Sequence, residues 1–360
     1  MNINTFLKFK QLYLLLPGFL QKPIDDVRYR KATKKALKLF LTKDEYADEA
    51  LKREIVKDIK HCRKQYKTKP EEYFLFGFRN LPPEGRAEFL PDFIKDRVLS
   101  KIVGFDVFSK ELKDKYNFYK LAGKYFGRDV MLMNSKGGDN LIEFKHFAAK
   151  HPELFIKSNL LSKGRGVDLY HISSDEEAEK VYASLSKIGG DWIVEEKILQ
   201  VPEMAQWNAS SVNTIRLPAI LNNDRWTVLG AFFRTGRAGS VVDNAGAGGV
   251  FACIDAETGI LSSDGVDEDG VYYERHPQSG LKYRGWQIPQ WGELLAVAEE
   301  VHRSLPHHKY VGWDFALTEK GWVLLEGNWG QFVSQYNDHI GLKKRFLELL
   351  DVNEDFITKK

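Results

Sequence analysis

The sequence has 360 residues, 43% hydrophobic and 29% charged, values that exclude a disordered or fibrous chain and leave room for two or three cooperating subdomains. Its two cysteines, Cys62 and Cys253, lie far apart, which excludes a disulfide scaffold and points to a reducing cytoplasm. The net charge of +3 hides an asymmetry: residues 1–70 carry 18 Lys and Arg against 8 Asp and Glu, or +10, which leaves −7 for residues 71–360.

The apolar run Leu12–Leu16 is short, is followed by Pro17-Gly18 and has no small-residue cleavage site, so no signal peptide is expected. No stretch approaches the ~18 apolar residues needed to span a bilayer. The basic N-terminal arm, with Phe6, Leu12, Tyr13 and Phe19 beside it, reads either as a solvated face or as a contact for an anionic surface. Residues 25–66 lack Pro and Gly and read as helical. Lys69-Pro70 and Leu81-Pro82-Pro83-Glu84-Gly85 break the pattern. Residues 86–127 read as helical again, with a break at Gly104.

From Asp129 short apolar runs alternate with turns. Strands are expected at Val130–Met133, Leu154–Ile156, Trp192–Val194, Thr214–Leu221, Trp226–Phe233, Val250–Ile254, Tyr310–Leu317 and Trp322–Leu325. Ser174, with Glu177 three residues on, forms a capping box for a helix to Ile188. Further helices are expected at 290–304 and 339–350. The class is therefore α+β, with a mainly helical N-terminal part.

Residues 310–329 carry the chemistry. Two apolar runs flank Glu319-Lys320-Gly321, which suits a three-residue hairpin loop with a left-handed Gly. That loop pairs Thr318 with Trp322, and then Asp314 faces Glu326 and Gly312 faces Asn328. The opposite face collects Trp313, Phe315, Leu317, Val323 and Leu325. Like charges directly opposite each other destabilise a sheet, and a divalent cation would remove the conflict. Asp314, Glu326 and the Asn328 amide form an all-oxygen set suited to Mg²⁺, and Gly312 leaves room for a ligand. The alternative is an exposed polar face.

Other features read both ways. Lys157 ends a strand, and Ser162-Lys163-Gly164-Arg165-Gly166 is either a solvated turn or a phosphate cradle. Trp192–Ile198 is a strand with acids at Glu195 and Glu196. Asn213 and Arg216 fall on opposite strand faces, and Arg234 ends another strand. The run Ala245–Gly249 permits close backbone approach. His307-His308 suggests zinc, but no cysteine or further histidine has ligand spacing. Cys253 reads as core.

The strings SVNTIRL (211–217), NAGAGGVFACIDAETG (244–259) and VGWDFAL…VLLEGNWG resemble the sugar-transfer-associated ATP-grasp family over about residues 100–350. The resemblance implies an ATP-grasp fold, two α+β subdomains clasping ATP. It divides the chain into a basic helical region (1–110), a lid and hinge subdomain (111–200) and a C-terminal subdomain with the metal site (201–360). The implied cofactors are ATP and two Mg²⁺ ions held by Asp314, Glu326 and Asn328. Lys157 and Lys120 (or Lys124) would meet phosphates, and Ser162, Lys163, Gly164 and Gly166 would cover them. Glu195, Glu196 and Ile198 would receive adenine, and Glu203 the ribose. Arg234, with Arg216, Asn244, Gly248 and Gly249, would attend the transferring phosphoryl group.

The implied reaction is an ADP-forming ligation of a carboxylate to an amine through an acyl phosphate, with a glycan precursor among the substrates, in the cytoplasm or at the inner membrane face. Nucleic acid is not an expected partner. A kinase acting on a hydroxyl, or a scaffold without catalysis, remains open. The family's usual N-terminal α/β domain is not matched by residues 1–110, so no substrate-binding residues are transferred.

Overall fold

A computed structural model of the chain describes residues 18–134, 140–159, 167–237, 239, 248–267, 269–329, 334–337 and 339–358. The chain divides into two compact units, one ending at Phe93 and one beginning at Ile94. Among the described residues, no helix is long and apolar enough to cross a membrane. Phe6, Leu12 and Tyr13 lie outside the described residues.

The first unit is helical, as its composition dictates. The expected run 25–66 is interrupted where polar capping residues cluster. Helix α1 (Gly18–Phe40) ends, Thr42 and Glu45 cap a short turn, and Asp48 opens α2 (Glu49–Tyr66) by accepting from the Ala50 and Leu51 amides at 2.8 and 3.0 Å. The apolar stripe of α2 buries Ile55, Ile59 and Cys62 in a core shared with Tyr73, Phe76, Phe78 and Phe89.

The second unit is α+β. Its four-stranded antiparallel sheet has the order β1 (Val130–Asn134), β4 (Asp191–Glu196), β2 (Glu153–Ser158), β3 (Val167–His171). Helix α3 (Lys115–Ala122) precedes this sheet in the chain, and α4 (Leu141–Lys150) and α5 (Asp175–Ile188) pack on it through Phe144, Ala148, Ala178 and Leu185. Ser174 caps α5 as expected, but Glu177 returns its bond to the Ser173 amide, one residue earlier than a capping box requires.

The larger sheet has eight strands among the described residues. Its order is β10 (Tyr272–Tyr273), β9 (Gly265–Asp267), β8 (Val250–Ile254), β7 (Ala231–Thr235), β5 (Thr214–Asn222), β11 (Tyr310–Thr318), β12 (Gly321–Asn328), with β6 (Arg225–Val228) also on β5. The single strand expected at 226–233 is two. Asn223 and Asp224 both adopt positive φ, the geometry of a tight hairpin turn, so β6 folds back on residues 219–222. The chain then breaks at 229–230, and β7 pairs with residues 214–216. Long β5 thus holds two partners on one edge and β11 on the other. Helix α6 (Trp291–Ser304) covers the sheet with Leu294, Ala298 and Val301. Cys253 is buried in β8, as expected.

The β11–β12 hairpin closes one residue tighter than the spacing suggests. Gly321 has the expected left-handed φ of 95°, but Thr318 pairs with Gly321 rather than Trp322. Leu317, Ala316 and Phe315 then face Trp322, Val323 and Leu324. A bulge beside Leu325 absorbs the slip, so that Asp314 faces Glu326 and Gly312 faces Asn328 as expected. One consequence is a correction to the core face. Trp322 and Leu324, rather than Val323 and Leu325, join Trp313, Phe315 and Leu317 in the core. Gly327 serves this packing, because a Cβ there would meet the Trp313 ring at 2.8 Å.

Candidate active site

The middle of the larger sheet sets four strands side by side, and their registers bring charge together. Arg216 on β5 faces Asp314 on β11, which faces Glu326 on β12. Thr214 on β5 faces Arg234 on β7. Asp314 is 1% exposed. Arg216 grips it with two bonds, Nε to Oδ1 and Nη2 to Oδ2, the second at 2.7 Å. Arg234 Nη2 lies 3.1 Å from the same Oδ2, and its Nε and Nη2 donate to Thr214 Oγ1 at 2.9 and 2.8 Å. Burial alone would raise the Asp314 carboxyl. The charges of Arg216 and Arg234 outweigh it and hold the group below the usual carboxylate range.

This alters the expectation that only a cation reconciles the two acids. Arginine already neutralises Asp314. It also occupies the room above Gly312: a Cβ there would sit 3.3 Å from the Arg216 side chain and 3.3 Å from the Asn328 carbonyl oxygen. Gly312 therefore makes space for Arg216, not for a ligand.

Glu326 is different. Its Oε1 is 3.9 Å from Arg216 Nη2 and accepts a 3.3 Å bond from Asn328 Nδ2, and 44% of its side-chain surface is exposed. Protein crowded around its inner side, and next the Asp314 charge, raise its carboxyl above the ordinary value despite that opening. Asn328 Oδ1 accepts from Arg216 Nη1 at 3.1 Å. Glu326 is thus the more open and less closely neutralised acid of this cluster, with Arg216 farther from it than from Asp314. Glu326, Asn328 and Asp314 offer an all-oxygen donor set of the kind a hard divalent cation takes, with Arg216 now bonded to the Asn328 and Asp314 oxygens.

A second cluster comes from the smaller sheet. Glu195 on β4 is 7% exposed and shared by Lys157 Nζ at 2.8 Å and Arg128 at 3.3 Å. Burial would raise it, but Arg128 and then Lys157 lower it below the ordinary glutamate range. Arg128 also donates to the Leu324 carbonyl of β12 at 2.8 Å, tying this cluster to the hairpin. Lys115 Nζ donates to the Ser158 and Asn159 carbonyls at 3.2 and 3.3 Å. Burial, and then the charge of Lys157, pull it down to about 8. Glu326 and Glu195 oppose that pull, so the two clusters form one electrostatic neighbourhood. Arg128, Lys157 and Lys115 outnumber Glu195 there, an excess of positive charge suited to a polyanion.

Several expected residues land elsewhere. Lys120 is exposed and lies over the Tyr116 ring, and Lys124 pairs with Glu300 at 3.1 Å. The lysine that reaches the site from this region is Lys115. It was missed, although a basic residue in the first turn of a helix, against the macrodipole and just after the Asp114 cap, is a legible signal. Glu195 faces Val130 and Phe155 from inside the sheet, so its backbone is committed to strand pairing and its side chain to the lysine and arginine. Glu196 closes the strand: its amide donates to the Asp129 carbonyl and its carboxylate accepts from the Asp129 amide. Ile198 falls in the non-regular segment that follows, 197–199, where the Lys197 amide donates to the Glu153 carbonyl at 3.3 Å. Glu203 is exposed on a short helix, Pro202–Ala205. Asn213 lies apart from Arg216, as expected, and is buried, bonding the Met204 and Asn208 carbonyls. Ser162, Lys163, Gly164 and Gly166, between β2 and β3, and Asn244 lie outside the described residues.

The profile of the family described as sugar-transfer associated ATP-grasp matches residues 104–349, about two thirds of the chain. No curated protein sequence matches. Solved structures similar to the chain include D-alanyl-alanine synthetase A from Vibrio cholerae, at 10% identity over 70% of this chain and 66% of that one, TM-score 0.42. A D-alanine–D-alanine ligase from Bacillus anthracis is similar at 12% identity over 69% and 66%, TM-score 0.40. The ATP-grasp ligase PsnB, complexed with minimal precursor, Mg and ADP, is similar at 10% identity over 67% and 54%, TM-score 0.36. The chain spans between about half and two thirds of the lengths of these proteins.

Proposed function

This chain belongs to the sugar-transfer associated ATP-grasp family and has its α+β fold behind a helical N-terminal region, and on that premise we propose that it is an ATP-dependent ligase that joins a carboxylate to an amine. The observation that carries the reading is one sheet face holding Asp314, Glu326 and Asn328 under Arg216 and Arg234, with Lys157 of the smaller sheet and Lys115 of α3 in the same electrostatic neighbourhood. That assembly has acids for a metal and cations for a polyphosphate, and it includes no protein nucleophile.

In the proposed reaction an oxygen of the substrate carboxylate attacks the γ-phosphorus and ADP leaves. The amine then attacks the acyl carbon, phosphate leaves with its oxygen, and the amine loses a proton as the amide forms. Lys157 and Lys115 neutralise phosphate charge. Arg234, a planar fork already fixed on Thr214, meets the spread charge of the transferring group. Arg216 holds Asp314 ionised and in place. Glu326 and Asn328, with Asp314, would hold Mg²⁺, which supplies charge neutralisation and polarisation of the phosphoryl oxygens. Segment 197–199 would take adenine through its backbone. Residues 111–200 act as lid and hinge and 201–360 as the metal-bearing half. The family description makes a sugar or glycan precursor the favoured substrate class, and use of ATP supports a reaction in the cytoplasm or at the inner membrane face.

ADP release with pooled amino acids, nucleotide sugars and acidic sugars, run with and without hydroxylamine, tests the reaction class. A ligase yields a hydroxamate of its carboxylate substrate. ADP release with no hydroxamate, and a phosphorylated hydroxyl product, would replace this reading with a kinase.

A further inference from the structure

The turn between α6 and β11 carries His307 and His308 side by side. A π-helical turn, Ser109–Lys113, brings Glu111 to both. His307 Nε2 is 2.6 Å from Glu111 Oε2, and His308 Nε2 is 3.0 Å from the same oxygen. The rings lie 4.4 Å apart, tilted by 41°. Three donor atoms from segments almost two hundred residues apart thus converge within 4.8 Å of one another. The sequence alone offered two histidines and no third ligand. Only the fold supplies Glu111.

We propose that Glu111, His307 and His308 bind a transition-metal dication of the Zn²⁺ class, with a fourth position open to water. Two imidazoles and one carboxylate suit that ion, and a three-ligand set with one open position is a recurrent zinc arrangement. The hard cations favour all-oxygen sites instead. His308 is fully buried, and its Nε2 is turned toward Glu111. His307 and Glu111 are partly open, with 49% and 31% of their side-chain surfaces exposed, which gives an ion and its water a path in. One carboxylate oxygen shared by two ring nitrogens is the hydrogen-bonded counterpart of a site whose ion would take the place of the shared protons. Glu111 precedes Lys115 by four residues, and His308 precedes Asp314 by six. The ion would therefore clamp together the starts of the two elements that carry those side chains. This inference stands apart from the proposed ATP chemistry.

The test is equilibrium binding of Zn²⁺, and of Co²⁺ read by its visible absorption, to the metal-stripped full chain. Wild type and Glu326→Gln should each bind one equivalent of Co²⁺ with a tetrahedral-type spectrum and melt at a higher temperature with Zn²⁺. His307→Asn, at an accessible position, should weaken binding at least about tenfold, a loss that even an outer-shell partner can cause. Glu111→Gln should do the same. Equal affinity in wild type and both variants, or loss of the signal in Glu326→Gln, would overturn the assignment.

Discussion

Arg216→Ala is expected to destabilise the second unit by about 3–5 kcal/mol, the cost typical of removing one partner of a buried ion pair. The size follows from what is left behind. Asp314 would keep its buried position but lose its two-bond grip, with Arg234 alone against it and Glu326 facing it. Asn328 would lose the donor to its Oδ1. Arg216→Ala, Asp314→Ala and the double variant, compared by urea unfolding, make the measurement. The double variant should cost clearly less than the sum of the singles, because the two residues offset one another. Additive losses, or a shift below about 1 kcal/mol for Arg216→Ala, would mean that the pair does not hold this sheet together.

Glu326→Gln is expected to lower ATP turnover by at least about 10²–10³-fold, the loss seen when one preorganised electrostatic group is removed from an active site. Its melting temperature should be unchanged or slightly higher. Burial and the Asp314 charge disfavour the ionised form of Glu326, so its charge costs the folded state stability at neutral pH. Function and stability are then opposed at one atom pair, as expected of a site waiting for a cation. Substantial residual turnover, or a marked drop in melting temperature, would show that Glu326 is a structural acid.

The carboxylate pair was legible because a hairpin is local: a Gly, two apolar runs and strict alternation bring Asp314 near Glu326. Even there the alignment held through two departures that cancel, a tighter loop and the bulge at Leu325. A bulge has no signature in composition. The role of Arg216 was half legible. Its residue type marked it, but its place above Gly312 depends on β5 pairing with β11, nearly one hundred residues away. The same holds for Glu111 and its histidines. Lys115 is the opposite case: a basic residue opening a helix just after the Asp114 cap is a signal present in the sequence. At Glu195 the sequence pattern is ambiguous: an acid at the end of a strand suggests exposure, whereas Glu195 is buried between a lysine and an arginine.

The most direct test of the central claim is calorimetric titration of ATP into the wild-type chain with and without Mg²⁺, repeated with Glu326→Gln. The site described here should bind ATP strongly only with Mg²⁺, and the glutamine variant should lose most of that dependence while keeping its fold. ATP affinity indifferent to Mg²⁺, or a Mg²⁺ dependence equally strong in the variant, would contradict it.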